Sequence, residues 1–275
     1  MRRRASLGWL ALVIACAGCT EKTLAEVASG VCPPISAQYR RFLEADDAAE
    51  SRRAAERLIE LQERAIGQMS EVSAQAPDAS GMERYLRSLQ RLTAVETEAL
   101  DADPGTEHAF RTAVSVSEAE VESLLARQAT AVPGECPPAD AAHVYSGLFV
   151  ARADLSCFAL GEDLERLGEL AIRADTRSES VELLRAAERL ASAIAKGLRA
   201  SLPPELQSDT GTNLVELYEE RVQSLADLRR AFARRDRQAY DDAVTRETRT
   251  ASSIEEANEA FGLDQCMNFI GISAT

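Results

Sequence analysis

A chain of 275 residues with 45% hydrophobic residues is long and apolar enough to bury the core of one or two domains, which excludes a chain disordered throughout. Only 5% of the residues are aromatic, and Ala, Leu, Glu and Arg predominate, so the composition favours helices over sheets and predicts an all-α protein. The formal net charge of -14 repels nucleic-acid phosphates, and we expect no nucleic-acid partner.

The first 18 residues are typical of an export signal. Arginines at positions 2–4 precede an uninterrupted apolar or small stretch over residues 7–18, which is too short to cross a bilayer. The stretch ends on Ala17-Gly18-Cys19 and then turns polar, which resembles the lipobox that lipoprotein signal peptidase cuts before a lipid-modified cysteine. This resemblance implies a signal peptide over residues 1–18 and lipidation of Cys19.

Cys16 is an alternative lipid site, because Val13-Ile14-Ala15-Cys16 also fits the lipobox. Cleavage before Cys19 leaves four further cysteines, an even set, whereas cleavage before Cys16 leaves an odd exported thiol at position 19. Cys19 is therefore favoured, and the membrane is an expected partner through the N-terminal lipid. We expect an exported protein at the periplasmic or outer face of an envelope membrane; secretion without lipid is the alternative.

The rest of the chain is interpreted as a tandem duplication. The hexapeptide Arg-Ala-Ala-Glu-Arg-Leu occurs at residues 53–58 and again at 185–190. A second pattern agrees with it, because residues 109, 110, 113 and 114 recur 130 positions later with Tyr240 replacing Phe110. The period exceeds that of solenoid repeats, so the unit is interpreted as a small domain copied once.

Apolar residues at helical spacing predict four helices in each copy. In the first copy they cover residues 35–45, 48–74, 82–100 and 107–131. In the second copy the first helix follows Cys157 and breaks near Asp175, and the second covers 181–198 before Pro203-Pro204. The third helix starts at the N-cap Thr212, and the last runs from about residue 238 to a stop at Gly262.

Four such helices joined by short turns predict an antiparallel four-helix bundle, so the fold class is two tandem bundles. The predicted organisation is a tether over residues 19–31, bundle copy 1 over 32–136, a connecting segment over 137–156, and bundle copy 2 with a C-terminal tail over 157–275. In an oxidising compartment the cysteines that bracket each copy are expected to close it. Cys32 with Cys136 and Cys157 with Cys266 is the favoured one of three connectivities.

Other candidate chemistry is weak in this sequence. No Cys-x-x-Cys occurs, and the two histidines, His108 and His143, lack metal-site spacing and are interpreted as surface or capping residues. Acid pairs at 219–220 and 255–256 fall on the solvent-exposed face of amphipathic helices. The aromatic residues 218, 232, 240 and 261 fall on the buried face. We therefore predict no catalytic, cofactor-binding or metal-binding residue, and no cofactor.

The second copy closes on Ala-Asn-Glu-Ala-Phe-Gly-Leu-Asp-Gln-Cys, residues 257–266, and carries a cysteine in its first helix and a Pro-Pro break after its second. These features are similar to a helical module of uncharacterised lipoproteins from high-GC bacteria, which supports fold and location and implies no site. The leading hypothesis is a non-enzymatic binding or scaffold lipoprotein with an envelope protein as partner. The alternatives are a carrier of a small ligand or metal in a bundle core, and an enzyme with a dispersed site.

Overall fold

The structure is a computed structural model that describes residues 23–73, 79–130, 132, 136, 138, 141–206 and 210–267. Within these ranges the chain forms helices and no strand, which confirms the all-α prediction. The α-helices are α1 (Leu24–Leu43), α2 (Ala48–Ser73), α3 (Ala79–Asp101), α4 (Glu107–Gln128), α5 (Ala141–Phe158), α6 (Gly161–Arg173), α7 (Arg177–Ser201), α8 (Thr210–Arg234), α9 (Arg237–Phe261) and α10 (Asp264–Met267), with a 3-10 helix at Pro204–Leu206. The predicted signal peptide, both candidate lipid sites and the tail beyond residue 267 lie outside the described residues.

Helices α1 to α4 each pack against the next in an up-and-down order. Arg52 at the start of α2 donates a hydrogen bond to the carbonyl of Leu100 at the end of α3, at 2.7 Å, so these two helices are antiparallel. The apolar faces meet in a first core, which includes Ile35, Leu58, Met69, Tyr85, Leu89, Leu92 and Ala119. Helices α2, α3 and α4 begin and end close to the predicted bounds, because their apolar residues follow the helical period.

Helix α1 begins at Leu24 and not at the predicted residue 35, and it contains Pro33 and Pro34. The side chain of Thr23 accepts a hydrogen bond from the amide of Glu26 at 3.3 Å, and the Glu26 carboxylate accepts one from the amide of Thr23 at 2.7 Å. This capping box stabilises a helix start ahead of the prolines, whereas the prediction placed the start after them. Residues 24–31 of the predicted tether are therefore helical.

Most of the predicted connecting segment forms α5, which packs along α4. The rings of Phe110 and Phe158 lie 4.8 Å apart, and Arg152 forms an ion pair with Glu118 at 2.7 Å. Helix α6 follows at an angle of 48° to α5. The helix predicted from Cys157 to near Asp175 therefore starts earlier and is broken, and the prediction of a plain connection missed the buried face of α5.

Helices α7, α8 and α9 form the main part of the second half. Arg177 at the start of α7 donates to the carbonyl of Ala233 near the end of α8 at 2.7 Å, so these helices are antiparallel. Helix α9 ends at Phe261, and Gly262 follows it with a φ of 72°, the left-handed conformation that favours glycine at a helix end. Helix α8 begins at Thr210, so Thr212 lies inside the helix and the predicted N-cap was wrong.

The buried residues fall into two main cores, one drawn from residues 28–136 and the other from residues 149–266. The second core is built largely from α5, α7 and α8, and includes Phe149, Leu190, Ile194, Leu198, Leu214, Tyr218 and Ile254. Contact between α4 and α5 joins the two halves directly, and the division into two domains that fold independently stays a prediction. Among the described residues no single helix is long and apolar enough to cross a membrane, although α5 and α6 taken together meet that test of length and composition despite their bend.

Candidate functional site

A cavity of about 300 Å³ lies within the first half, between α1, α2, α3, α4 and the first turn of α5. A second lobe of about 370 Å³ adjoins it and shares Tyr39, Leu58, Glu96, Glu120 and His143 with it. The combined space falls in the range of small-molecule binding sites. We call these two lobes together the core cavity.

The walls of the core cavity are mostly apolar. They follow from the helical period, because residues three and four apart on one helix face the same neighbour. The apolar wall residues include Ile35, Leu43, Leu58, Leu92, Val116 and Val144. The cavity therefore offers an apolar ligand a surface that buries it from water.

Two carboxylates interrupt these apolar walls. Glu96 lies four residues after Leu92 on α3, and Glu120 lies four residues after Val116 on α4, so each occupies a position that the helical period assigns to the core. Both side chains are partly buried. The cavity thus combines an apolar body with one acidic region.

A polar network holds Glu96 in place. Gln62, which is only 1% exposed, donates from its side-chain nitrogen to Glu96 Oε1 at 3.4 Å. The side-chain oxygen of Gln62 accepts a hydrogen bond from the hydroxyl of Thr93 at 3.1 Å, and this contact orients the amide. The other carboxylate oxygen of Glu96 is buried and has no hydrogen-bond partner. A buried oxygen without a hydrogen bond lowers the stability of the fold, so Glu96 Oε2 can accept a hydrogen bond from a ligand.

Glu120 has a different partner. The hydroxyl of Tyr39 on α1 donates to Glu120 Oε1 at 3.4 Å, across the space between α1 and α4. The imidazole of His143 meets the Tyr39 ring edge-on, with the ring centroids 5.9 Å apart. Among the residues described, neither Glu96 nor Glu120 belongs to an ion pair.

Burial raises the pKa of both carboxyl groups. For Glu96 the pKa rises to about 8, first because of burial and then because of the charge of Glu120, while the hydrogen bond from Gln62 lowers it. For Glu120 burial raises the pKa to about 7, against the hydrogen bond from Tyr39, which lowers it. With these pKa values Glu96 is mostly protonated at pH 7 and Glu120 about half protonated, whereas an ordinary surface glutamate is ionised.

The four cysteines that the sequence assigned to disulfides are paired as expected. Cys32 is bonded to Cys136 with a Cα–Cα distance of 4.6 Å, and Cys157 to Cys266 with a Cα–Cα distance of 5.3 Å. Each bond joins the first helical region of its half to the segment that follows its last long helix. The bonds lie in the two cores and outside the lining of the core cavity.

The other residues considered from the sequence are distributed as follows. His108 is exposed near Glu98 at 3.8 Å, and His143 is exposed at the rim of the core cavity. Tyr218 is fully buried and accepts a hydrogen bond from the side chain of Asn258 at 3.0 Å. The acid pairs at 219–220 and 255–256 are exposed as predicted. Within the described ranges, no group of three or more histidine, cysteine or acidic residues could hold a metal ion.

The second half buries its ionisable groups in a different way. Arg221 on α8 and Glu247 on α9 form an ion pair at 3.2 Å, with side chains only 4% and 8% exposed. The position 130 residues after Glu120 is Thr250, a neutral and buried residue. Under the predicted duplication, position 250 on α9 corresponds to Glu120, and it carries no carboxylate.

Sequence reasoning missed Glu96, Glu120, Gln62 and Tyr39. A signal for the first two was present, because an acid placed four residues after an apolar residue interrupts the buried stripe of a helix. Comparison with known proteins adds no assignment: no protein-family model, no curated protein and no solved structure matches this chain. The chemistry of the core cavity is therefore the basis for the function proposed below.

Proposed function

We propose that this protein is a non-enzymatic binding protein, exported and held by lipid on Cys19 at an envelope membrane, which binds a small, largely apolar ligand in the core cavity. The observation that carries this proposal is the cavity itself, because apolar walls with a few converging polar groups are typical of small-molecule sites. This is the carrier alternative of the sequence analysis, and the cavity favours it over a scaffold with no ligand.

The proposed location has two supports. The two disulfides are consistent with an extracytoplasmic compartment, because the cytosol keeps most thiols reduced. The basic and apolar N-terminus that ends on Ala17-Gly18-Cys19 is typical of a lipoprotein signal. The lipid anchor and the kinship with lipoproteins of high-GC bacteria remain parts of the proposal.

An organic ligand fits the cavity better than a metal ion. Calcium takes six to eight oxygen ligands, and structural zinc takes four ligands from cysteine, histidine or carboxylates. The core cavity brings together two carboxylates with one exposed histidine at the rim, and the rest of its surface is mainly apolar. An apolar body buried against Leu58, Leu92 and Val144 would use the walls, which a metal ion would not.

The ligand is tested by native mass spectrometry of the full mature chain purified gently from membranes. We expect a small molecule to remain bound to the wild-type protein. Val116→Phe should displace it, because Val116 lines the second lobe and the larger ring takes up its space. Val114→Phe on the same helix is the matched control, since Val114 is partly buried and does not line the cavity. Equal occupancy in both variants, or a wild-type protein that binds nothing, would contradict the proposal.

The anchor is tested by fractionating cells that express the protein. We expect Cys19→Ser to move the protein from the membrane fraction to the soluble fraction, whereas Cys16→Ser leaves it on the membrane. A reversed result would assign the lipid to Cys16, and release by neither change would refute lipid anchoring at these cysteines.

A further inference from the structure

We propose that the ligand of the core cavity is an organic cation with an apolar tail, and that its charged nitrogen binds between Glu96 and Glu120. This inference rests on the proposed function and names the chemical class of the ligand. It goes beyond a general apolar ligand because it assigns the two carboxylates as the recognition groups.

The geometry supports a donor at this place. The buried Oε2 of Glu96 has no hydrogen-bond partner, whereas its Oε1 is held by Gln62. Glu120 likewise has one oxygen bonded to the hydroxyl of Tyr39. An ammonium or guanidinium group supplies several N–H donors, and its charge makes each hydrogen bond to a carboxylate stronger than a neutral one.

The charges around the pair also favour a cation. From α1, Tyr39 and Arg40 face the cavity, and from α2 the facing polar group is the neutral Gln62. From α5, His143 faces the rim. Arg40 and His143 are both exposed, and neither forms an ion pair with Glu96 or Glu120. These rim residues therefore give neither carboxyl group a cationic partner, and a bound cation would supply one.

Binding of such a ligand releases protons. Without a bound cation, burial raises the pKa of Glu96 to about 8 and that of Glu120 to about 7. A cation between them favours the ionised carboxylates, so the protons that leave Glu96 and Glu120 pass to the solvent. The affinity for a cation should therefore rise with pH up to about 8. A neutral alcohol or an anion binds better to protonated carboxyl groups and should show the opposite trend.

The test is isothermal titration calorimetry of the full mature chain, with its disulfides intact, against n-octylamine, octan-1-ol and octanoate. An alkylammonium, like lysine, stays charged to about pH 10, so the ligand itself does not titrate in the range studied. We expect octylamine to bind most tightly, with an affinity that rises at least about tenfold from pH 6 to pH 8. Titrations in buffers of different ionisation enthalpy should detect the released protons.

Substitutions test which residues cause the binding of octylamine and its pH dependence. Glu96→Gln and Glu120→Gln should each weaken octylamine binding by about tenfold and reduce its pH dependence, because each removes one charge from the site. Glu98→Gln and Glu122→Gln are the matched controls, since they remove exposed charges from the same helices. His143→Gln should keep the pH dependence, which separates the carboxylates from the imidazole at the rim.

The outcomes distinguish the two proposals. Binding of octan-1-ol or octanoate as tight as that of octylamine would overturn the cation and leave the small-ligand function standing. Unchanged pH dependence in both glutamine variants would also overturn it. If none of the three compounds binds, and nothing is retained by the purified protein, both proposals fail.

Discussion

The two cores of this protein bury ionisable side chains in opposite ways. In the second half Arg221 and Glu247 neutralise each other at 3.2 Å and are almost fully buried. In the first half Glu96 and Glu120 interact unfavourably, have raised pKa values and border a cavity. Pairing offsets the cost of burying a charge, whereas a buried carboxylate without a partner costs folding energy and is typical of a functional site. The comparison therefore supports the proposed ligand site in the first half.

The ion pair of the second half should give the largest effect. Glu247→Gln leaves the charge of Arg221 buried without its carboxylate, and we expect a loss of about 3–5 kcal/mol in the free energy of unfolding. Urea denaturation measures it, with Glu255→Gln on the exposed face of α9 as the control. A double change to Arg221→Met and Glu247→Leu should recover most of the loss. A loss below about 1 kcal/mol for Glu247→Gln would contradict the contrast between the two cores, because it would show that the buried charge of Arg221 does not depend on its carboxylate partner.

Removing each disulfide in turn allows the packing of the two halves to be compared. Their sequence separations are 104 and 109 residues, so the two bonds lower the chain entropy of the unfolded state by similar amounts. Removal of either should lower the free energy of unfolding by about 2–4 kcal/mol without loss of helicity. We expect the larger loss on changing Cys32 and Cys136 to serine, because α1 and α4 face each other across the cavity. Thermal unfolding followed by circular dichroism compares it with the Cys157 and Cys266 variant. A larger loss in the second half would contradict this account.

The carboxyl pair should make stability depend on pH. In the unfolded chain the pKa of Glu96 lies near its ordinary value of 4.5, whereas in the folded chain burial raises the pKa to about 8. The folded state binds more protons over this window, so the free energy of unfolding should fall as pH rises from about 5 to 8.

Glu96→Gln cannot ionise, so its stability profile should be flatter and its stability at pH 8 higher by about 1 kcal/mol. Glu98→Gln should follow the wild-type profile, because Glu98 is exposed on the same helix. Denaturant midpoints measured between pH 5 and pH 8.5 decide the matter, and parallel profiles for wild type and Glu96→Gln would show that Glu96 ionises normally.

The smallest expected effect concerns a feature that the halves share. Thr23 caps α1 and Thr176 caps α7, each through the same hydrogen-bond pair with a glutamate three residues later. Thr176→Ala should lower stability by about 1 kcal/mol, as expected for the loss of an N-cap. Thr23→Ala should cost a similar amount, and a thermal shift assay compares them. An unchanged stability of Thr23→Ala would mean that packing alone stabilises the first turns of α1.

Much of the fold could be predicted from the sequence, and the reasons lie in particular residues. Helices α7 and α9 were predicted because Leu184, Leu198 and Ile254 follow the helical period and Gly262 caps the end of α9. The start of α1 was missed because its capping box precedes two prolines, and α5 because its apolar residues were taken for a connection. The disulfide pairing followed from the position of the cysteines at the ends of each half.

The core cavity could not be predicted in the same way. A cavity forms where the side chains between neighbouring helices do not fill the space. It depends on the distances between helices, which the apolar pattern of one helix does not show. The acids at positions 96 and 120 were visible in the sequence, but many acids are, and only the structure shows that these two share a buried space. The interpretation of His143 as a surface residue was correct in exposure, yet it did not show the residue at a cavity rim.

The first turn of α5 has a consequence for how this chain can be divided. Val144 and His143 complete the wall of the core cavity, although they follow Cys136, the last residue of the predicted first copy. A fragment that stops at residue 136 would keep both glutamates and its own disulfide but would have a cavity open on one side. Its helix content would resemble the native value while its ligand escaped. The predicted first copy and the set of residues that line the core cavity therefore have different boundaries along the same polypeptide.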